Sequence, residues 1–263
     1  MKEKKLIPER RRSKIIELLD INDSISIFNL AEEFKVSIIT IRRDLELLES
    51  KGLINKIYGG ITKKTDKVLE IHFLKQLNKM RKEKSRIAIE CAKRIEDGFT
   101  ILLHGGTTCF EIAKKLSNKK NLKIITCSPS IIDYLWKEII NRKNSHQIYC
   151  PGGELQITSN FFTGRHSESF FKDISIDIAF IGVIALDTSN GYMVTAEREG
   201  LLVKEIISAS DITIAPTDHS KFNKKTFIKT DILNSIDEII TDRGLSDKIY
   251  DKFIENKIKV TRV

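Results

Sequence analysis

Arg42 and Arg43 stand together in the string VSIITIRRDLELLESKGLINKIYGGI, residues 36–61. A guanidinium fork can bond bidentately to a guanine edge or to a phosphate, so two of them on the free face of a helix suit the reading of duplex DNA. Thr40 and Ile39, beside them, carry methyl groups that can meet thymine. A second chemical grouping is His104-Gly105-Gly106-Thr107-Thr108. Its glycines let backbone approach a ligand and its threonine hydroxyls add donors, a combination that suits an anion. Small polar and charged residues also follow several apolar runs: Ser128 after 122–126, Gly152 and Gly153 after 147–150, Asp187 after 177–183, and Asp218 and Lys221 after 212–215. A lysine and backbone N–H groups suit a phosphate, whereas Asp187 and Asp218 suit sugar hydroxyls.

The elements that must carry these residues follow from capping and periodicity. The Ser37 hydroxyl can accept from an orphan amide of a first helical turn, which starts a helix there. Ile41, Leu45 and Leu48 fall on one face of that helix; Ile39, Thr40, Arg43 and Glu46 point the other way, with Arg42 on the flank. Gly52 ends it, and Leu53 to Tyr58 alternate toward Gly59 and Gly60 as a two-stranded wing would, which puts Lys56 and Tyr58 where a wing meets phosphate. Upstream, Ile15, Ile16, Leu18 and Leu19 mark one helix, and Ile27, Leu30, Ala31 and Phe34 a second behind a Ser26 cap. Only Lys35 and Val36 separate this second helix from Ser37, the spacing of a helix-turn-helix whose second helix reads DNA. The plainer alternative makes Arg42 and Arg43 a solvated face paired with Glu46.

From about residue 80 the texture changes to helices alternating with short apolar runs, which predicts an α/β domain with a largely parallel sheet. Ile87, Ala88, Cys91, Ala92 and Ile95 form an amphipathic helix ended by Asp97-Gly98. Phe99 to Leu103 is a buried strand that runs into the glycine turn, and Ile112, Ala113 and Leu116 mark the next helix. In open parallel sheets ligands bind outside the carboxyl ends of the strands, where the polar groups above would converge on a phosphorylated sugar or polyol. The same turn can also serve capping alone. The expected fold is therefore α+β overall: a winged helix-turn-helix over 1–61, a linker over 62–79 that includes the polar run Thr62 to Lys67, and an α/β Rossmann-like sensor domain over 80–263.

Composition agrees. The 263 residues suffice for two cores, 41% hydrophobic content is that of a soluble globular protein, and the net charge of +9 favours a polyanionic partner. Residues 1–67 hold fifteen Lys/Arg against eleven Asp/Glu, so a phosphate footprint must come from local clusters such as Arg10, Arg11 and Arg12. Cys91, Cys109, Cys127 and Cys150 are far apart, and His72, His146, His166 and His219 lack metal-ligand spacing, so reduced core thiols, no metal and no cofactor are expected. No long apolar stretch or signal-peptide pattern is present, which predicts a cytoplasmic protein without membrane contact.

The segment from Arg10 to Ile61, and TIRRDLELLESKGLI within it, resembles the N-terminal domain of the DeoR family of bacterial transcriptional regulators. That resemblance implies operator contacts by Ser37, Thr40, Arg42 and Arg43, with the Lys56 to Gly60 wing, Gly59 included, beside them. Ile38 and Ile39 stand where the family is usually polar. Residues of about 80–260 resemble the family's effector domain, similar in fold to ribose-5-phosphate isomerase. The carrying strings are GTT at 106–108, GGEL at 152–155, DIAFIGV at 177–183, AEREGLLVK at 196–204, SKF at 220–222 and ITD at 240–242. It implies an effector pocket of Gly106, Thr107, Thr108, Ser128, Gly152, Gly153, Asp187, Glu199, Lys204, Asp218 and Lys221. His104 replaces the family's usual aspartate, Gly105 a common serine, Cys127 an asparagine and Leu186 a glycine. For His104 a hydrogen bond to the neighbouring loop is the structural alternative to a ligand contact.

Isomerase chemistry would need a general base and an acid or lysine at an enediolate. Asp187, Glu199 and Lys204 supply the types, but Thr188-Ser189-Asn190 follows where related isomerases carry a second acid. No phosphate loop, nucleophile turn or H-E-x-x-H motif is present. The expectation is a non-enzyme: a sequence-specific regulator, a repressor of a sugar or polyol operon, working as a homodimer or homotetramer on double-stranded operator DNA. The alternatives are an isomerase-like enzyme and a constitutive DNA-binding protein whose C-terminal domain serves assembly only.

Overall fold

The computed structural model describes residues 7–21, 24–57, 60–63, 76–142, 145–156 and 159–263. The chain divides into two compact units, Met1–Ile71 and His72–Val263.

In the first unit three helices, α1 (Pro8–Ile21), α2 (Ile27–Glu33) and α3 (Ile38–Ser50), pack on a three-stranded antiparallel sheet. Its strands are β1 (Ser24–Ser26), β2 (Ile54–Ile57) and β3 (Gly60–Lys63), in the order β1-β3-β2. Both caps read from sequence are present: Ser26 Oγ accepts from Asn29 N at 3.0 Å and Ser37 Oγ from Thr40 N at 3.2 Å. Ile15, Leu19, Leu30, Phe34, Ile41, Leu45 and Leu48 form one core with Ile54 and Ile61. β1 was not expected; three residues are too short to carry a period, and it forms by pairing Ile25 with Ile61. Thr62 and Lys63, expected in the linker, belong to β3, and residues 64–75 of that linker lie outside the described residues.

The second unit is built on a seven-stranded sheet in the order β15-β14-β12-β9-β4-β5-β6, parallel in every pairing. The strands are β4 (Thr100–Leu103), β5 (Lys123–Thr126), β6 (Gln147–Tyr149), β9 (Ile176–Phe180), β12 (Ser210–Pro216), β14 (Glu238–Thr241) and β15 (Val260–Arg262). Alternate side chains feed opposite cores. Leu102, Ala179 and Ala215 join one, while Ile101, Leu103, Ile178, Phe180 and Ile214 join the other, as a sheet covered on both faces requires. One face is covered by α4 (Arg81–Lys93), α5 (Gly106–Ala113) and α6 (Pro129–Arg142). The other is covered by α8 (Glu197–Ser208), α9 (Asp247–Glu255) and the small sheet β10 (Ala185–Asp187), β11 (Gly191–Val194) and β13 (Ile228–Lys229). A hairpin, β7 (Glu154–Gln156) and β8 (Phe161–Thr163), precedes α7 (Arg165–Phe170). Cys91, Cys109 and Cys127 are buried thiols, but Cys150 is exposed and is no core residue. No helix among the described residues is long and apolar enough to cross a membrane.

The strand order has one reversal. From β4 the chain steps outward through β5 to β6, then returns to the other side of β4 and steps through β9, β12, β14 and β15. Loops leaving the carboxyl ends of β4 and β9 therefore diverge, and a crevice opens where they part.

Candidate functional site

On α3 the buried stripe is Ile41, Leu45 and Leu48, with Asp44 among them. Asp44 Oδ2 accepts from Arg11 Nε at 2.6 Å and Oδ1 from Arg12 at 3.3 Å. Arg11 is 5% exposed, so it pins α1 to α3 and is not part of a phosphate footprint, contrary to the sequence reading. Arg42 and Arg43 are exposed and form no ion pair among the described residues; the pairing with Glu46 that would make them a plain solvated face is not formed. Ile39 is 65% exposed beside them. Ser37 and Thr40 hydroxyls lie 2.9 Å apart at the start of the helix. Lys56 of the wing is held by Glu49 at 2.6 Å. Tyr58 and Gly59 lie outside the described residues.

In the second unit a cavity of about 410 Å³ opens at the reversal point. Its floor is the turn from β4 into α5. Gly105 caps α5 without any side-chain bond and Gly106 takes a φ of +81°, so the first N–H groups of the helix are left for an incoming anion. The loop after β9 comes close at Gly182, where a Cβ would stand 2.4 Å from the Gly105 carbonyl oxygen; only glycine permits the approach. Of the residues expected around an effector, Gly106, Thr107, Thr108, Glu199 and Lys221 line this cavity.

The other expected residues have other work. Asp187 Oδ1 accepts from Ser189 N at 3.0 Å, Asn190 N at 2.9 Å and Asn190 Nδ2 at 2.6 Å, closing the β10–β11 hairpin outside the cavity. Lys204 pairs with Asp231 at 2.7 Å in a separate open groove of about 780 Å³. Asp218 is buried and caps the short helical turn after β12, accepting from Ser220 N at 3.1 Å and Ser220 Oγ at 2.5 Å. Gly152 and Gly153 pack on β8 and α7: a Cβ on Gly153, at φ +110°, would lie 2.4 Å from the Thr163 carbonyl oxygen. Ser128 is buried in the turn after β5, its N–H donating to Thr126 Oγ1 at 3.2 Å. None of these six lines the cavity.

The cavity instead contains residues absent from the sequence reading, above all Lys84 and Gln76. Lys84 is 2% exposed, and its ammonium donates to Gln76 O at 2.5 Å and Lys79 O at 2.8 Å. Burial pushes its pKa down to about 8, opposed by Asp218 and reinforced by Lys221 and Lys79. The signal for it was legible: Lys84, Ile87, Ala88 and Cys91 share the buried stripe of α4, where a lysine has no reason to sit unless it meets polar partners. Burial also lowers Lys221, against Asp218, and raises Glu199, whose Oε2 accepts from Thr195 N and Oγ1, both at 3.2 Å. His104 lines the cavity against Phe161, ring centroids 5.0 Å apart, and burial lowers its pKa to about 4, so it is neutral. Its Nε2 is buried with no hydrogen-bond partner among the described residues, so the loop bond that was the alternative to a ligand contact is not made at that nitrogen.

The buried ammonium of Lys84, the half-buried one of Lys221, an open helix N-terminus and the buried carboxyl of Glu199 can together hold a phosphate and orient hydroxyls.

Comparison with known proteins matches this division of labour. The DeoR-like helix-turn-helix domain matches residues 11–67 and the DeoR C terminal sensor domain residues 79–243. The chain is 31% identical to the transcriptional repressor AccR of Agrobacterium fabrum, over 93% of this chain and 96% of that one. It is 28% identical to the glycerol-3-phosphate regulon repressor of Escherichia coli, over 89% and 90%. Among solved structures it is similar to ribose 5-phosphate isomerase from Plasmodium falciparum at 18% identity and a TM-score of 0.37, covering 53% of this chain and 52% of that one. With both of its parts matched by family models, and the sensor model alone spanning more than half of its length, the chain belongs to the DeoR family of helix-turn-helix transcriptional regulators.

Proposed function

We propose that the chain represses a sugar or polyol utilisation operon and that a phosphorylated sugar or polyol in the second unit's cavity controls its hold on DNA. The observation that carries the effector half is the uncapped N-terminus of α5 facing a cavity that also contains buried Lys84 and half-buried Lys221. A phosphate there meets backbone N–H groups, the helix dipole and two ammonium groups, while Glu199 and neutral His104 are left for hydroxyls. The name of the Escherichia coli relative points to the same ligand class.

For the DNA half, exposed Arg42 and Arg43 on the free face of α3, with Ile39 and Thr40, read base edges and phosphates, and Ser37 fixes where the helix starts. Lys56 reaches phosphate by leaving Glu49, an exposed pair of small worth. Tyr58 and Gly59 complete the wing in this reading. One small reader gives limited specificity, so the chain acts in the cytoplasm as a homodimer or homotetramer on paired half-sites.

We read it as a regulator and not as an enzyme. Asp187, the acid that isomerase chemistry would draw on, is occupied in its own hairpin turn, and Lys204 by Asp231. The test is a pair of variants of the full chain. Lys221→Ala should keep DNA binding and lose release by effector, and Arg43→Ala should lose DNA binding and keep the ligand. Identical behaviour of the two would remove the two-site model.

A further inference from the structure

Lys84 is chemically odd in its position. It lies in the first turn of α4, where the helix dipole disfavours a cation, it is 2% exposed, and it forms no ion pair among the described residues. Two of its three N–H groups donate to the carbonyls of Gln76 and Lys79. Those carbonyls belong to the segment 76–80, helical over 76–78 and turning at Lys79 and Met80 before α4; these are the first described residues after the segment that leaves β3. Met80 adopts φ 53° and ψ 36°, a left-handed conformation unfavourable for any residue but glycine, and it caps α4 without a side-chain bond. Gln76, like Lys84, lines the cavity.

Resting on the proposed anion site, we infer that Lys84 transmits occupancy of the cavity to the chain that leads toward the DNA-reading unit: it holds the segment 76–80 with two N–H groups and gives the third to the bound anion. The anion supplies the negative charge that the buried ammonium lacks, so the ammonium is kept protonated and fixed in place, and with it the two donors that hold Gln76 and Lys79. Ligand binding therefore tightens the turn. An effector without an anionic group would fill the cavity without this effect, because a ligand shifts an equilibrium only by its differential interaction with the two states.

The experiment uses the full chain, with inorganic phosphate as probe, a binding isotherm for affinity and hydrogen exchange of the peptide 76–84 for the turn. Wild type is expected to bind phosphate and to slow exchange in that peptide by about threefold or more. Lys84→Met should exchange faster there even without phosphate, bind phosphate about tenfold more weakly, and show no slowing when saturated, while β9 stays protected as evidence of an intact sheet. Met80→Pro keeps the ammonium but fixes φ near −65°, which the turn does not allow; it should bind phosphate about as well as wild type and show no slowing. Phosphate binding without slowing in the wild type, or full slowing in Lys84→Met, would overturn the inference while leaving the anion site standing. A flat wild-type isotherm would remove the anion site and this inference with it.

Discussion

Raising the pH from 7 to 9 should weaken anion binding about tenfold through Lys84. With its pKa lowered to about 8, the free protein carries this ammonium protonated about ten to one at pH 7 and about one to ten at pH 9. An anion that needs the ammonium must restore the proton, so its apparent affinity falls by about that ratio, about 1.4 kcal/mol. A phosphate monoester is already a dianion over most of this span, since its second pKa is near 6, so the ligand contributes little to the slope. The groups facing Lys84 act in known directions: Lys221 and Lys79 favour loss of its proton, Asp218 and Glu111 its retention. Lys221, itself lowered by burial, can only steepen the decline. Folding stability moves the other way. The cost of burying the charged form is fully present below the folded value of about 8 and lifts as pH rises toward the ordinary 10.5, so the unliganded fold gains stability over that span as the penalty disappears. The assay is isothermal titration with a sugar phosphate at pH 7, 8 and 9 and fixed ionic strength, on wild type and Lys84→Met. A flat wild-type profile, or an equal slope in the variant, would refute the placement of Lys84 against the ligand.

Other expectations concern residues whose roles the geometry separates. Arg43→Ala should cost about 1–3 kcal/mol of operator affinity, read by fluorescence anisotropy at one salt concentration, with effector affinity unchanged. Asp187→Ala and Lys204→Ala should leave effector affinity within about twofold, because neither residue lines the cavity; a tenfold loss by calorimetry would return them to the site. Gly153→Ala should lower the melting temperature, because an alanine at φ +110° is strained by about 1–3 kcal/mol before its contact with the Thr163 carbonyl is counted. An unchanged melting curve would contradict the packing role given to that glycine.

What the sequence discloses and what it hides have physical causes. The start of α3 is legible because Ser37 acts through a bond to a residue three positions on, and local bonds leave local patterns. The parallel sheet is legible because strands covered on both faces are apolar throughout: Ile101 and Leu103 go to one core, Leu102 to the other. Strand β1 is hidden because its pairing partner, β3, is distant in sequence. In the cavity, the glycine turn, Thr107, Thr108 and Lys221 are legible by residue type, but type alone also draws in Asp187 and Asp218, whose carboxylates cap their own turns. The run Asp187-Thr188-Ser189-Asn190-Gly191 is a turn signature that argued for that use. Lys84 is hidden in the basic run 79–86, among Lys79, Arg81, Lys82 and Arg86, although its place on the apolar stripe of α4 sets it apart.

The central claim is a DNA reader governed by an anion in a separate cavity. The most direct test is binding of the full chain to the DNA upstream of its own gene, titrated with a panel of sugar and polyol phosphates at constant salt, since charge-driven affinity varies with salt. The account predicts tight specific binding that one phosphorylated compound releases and its unphosphorylated parent does not. Specific binding that no compound on the panel alters would contradict it and leave a reader whose second domain serves assembly alone.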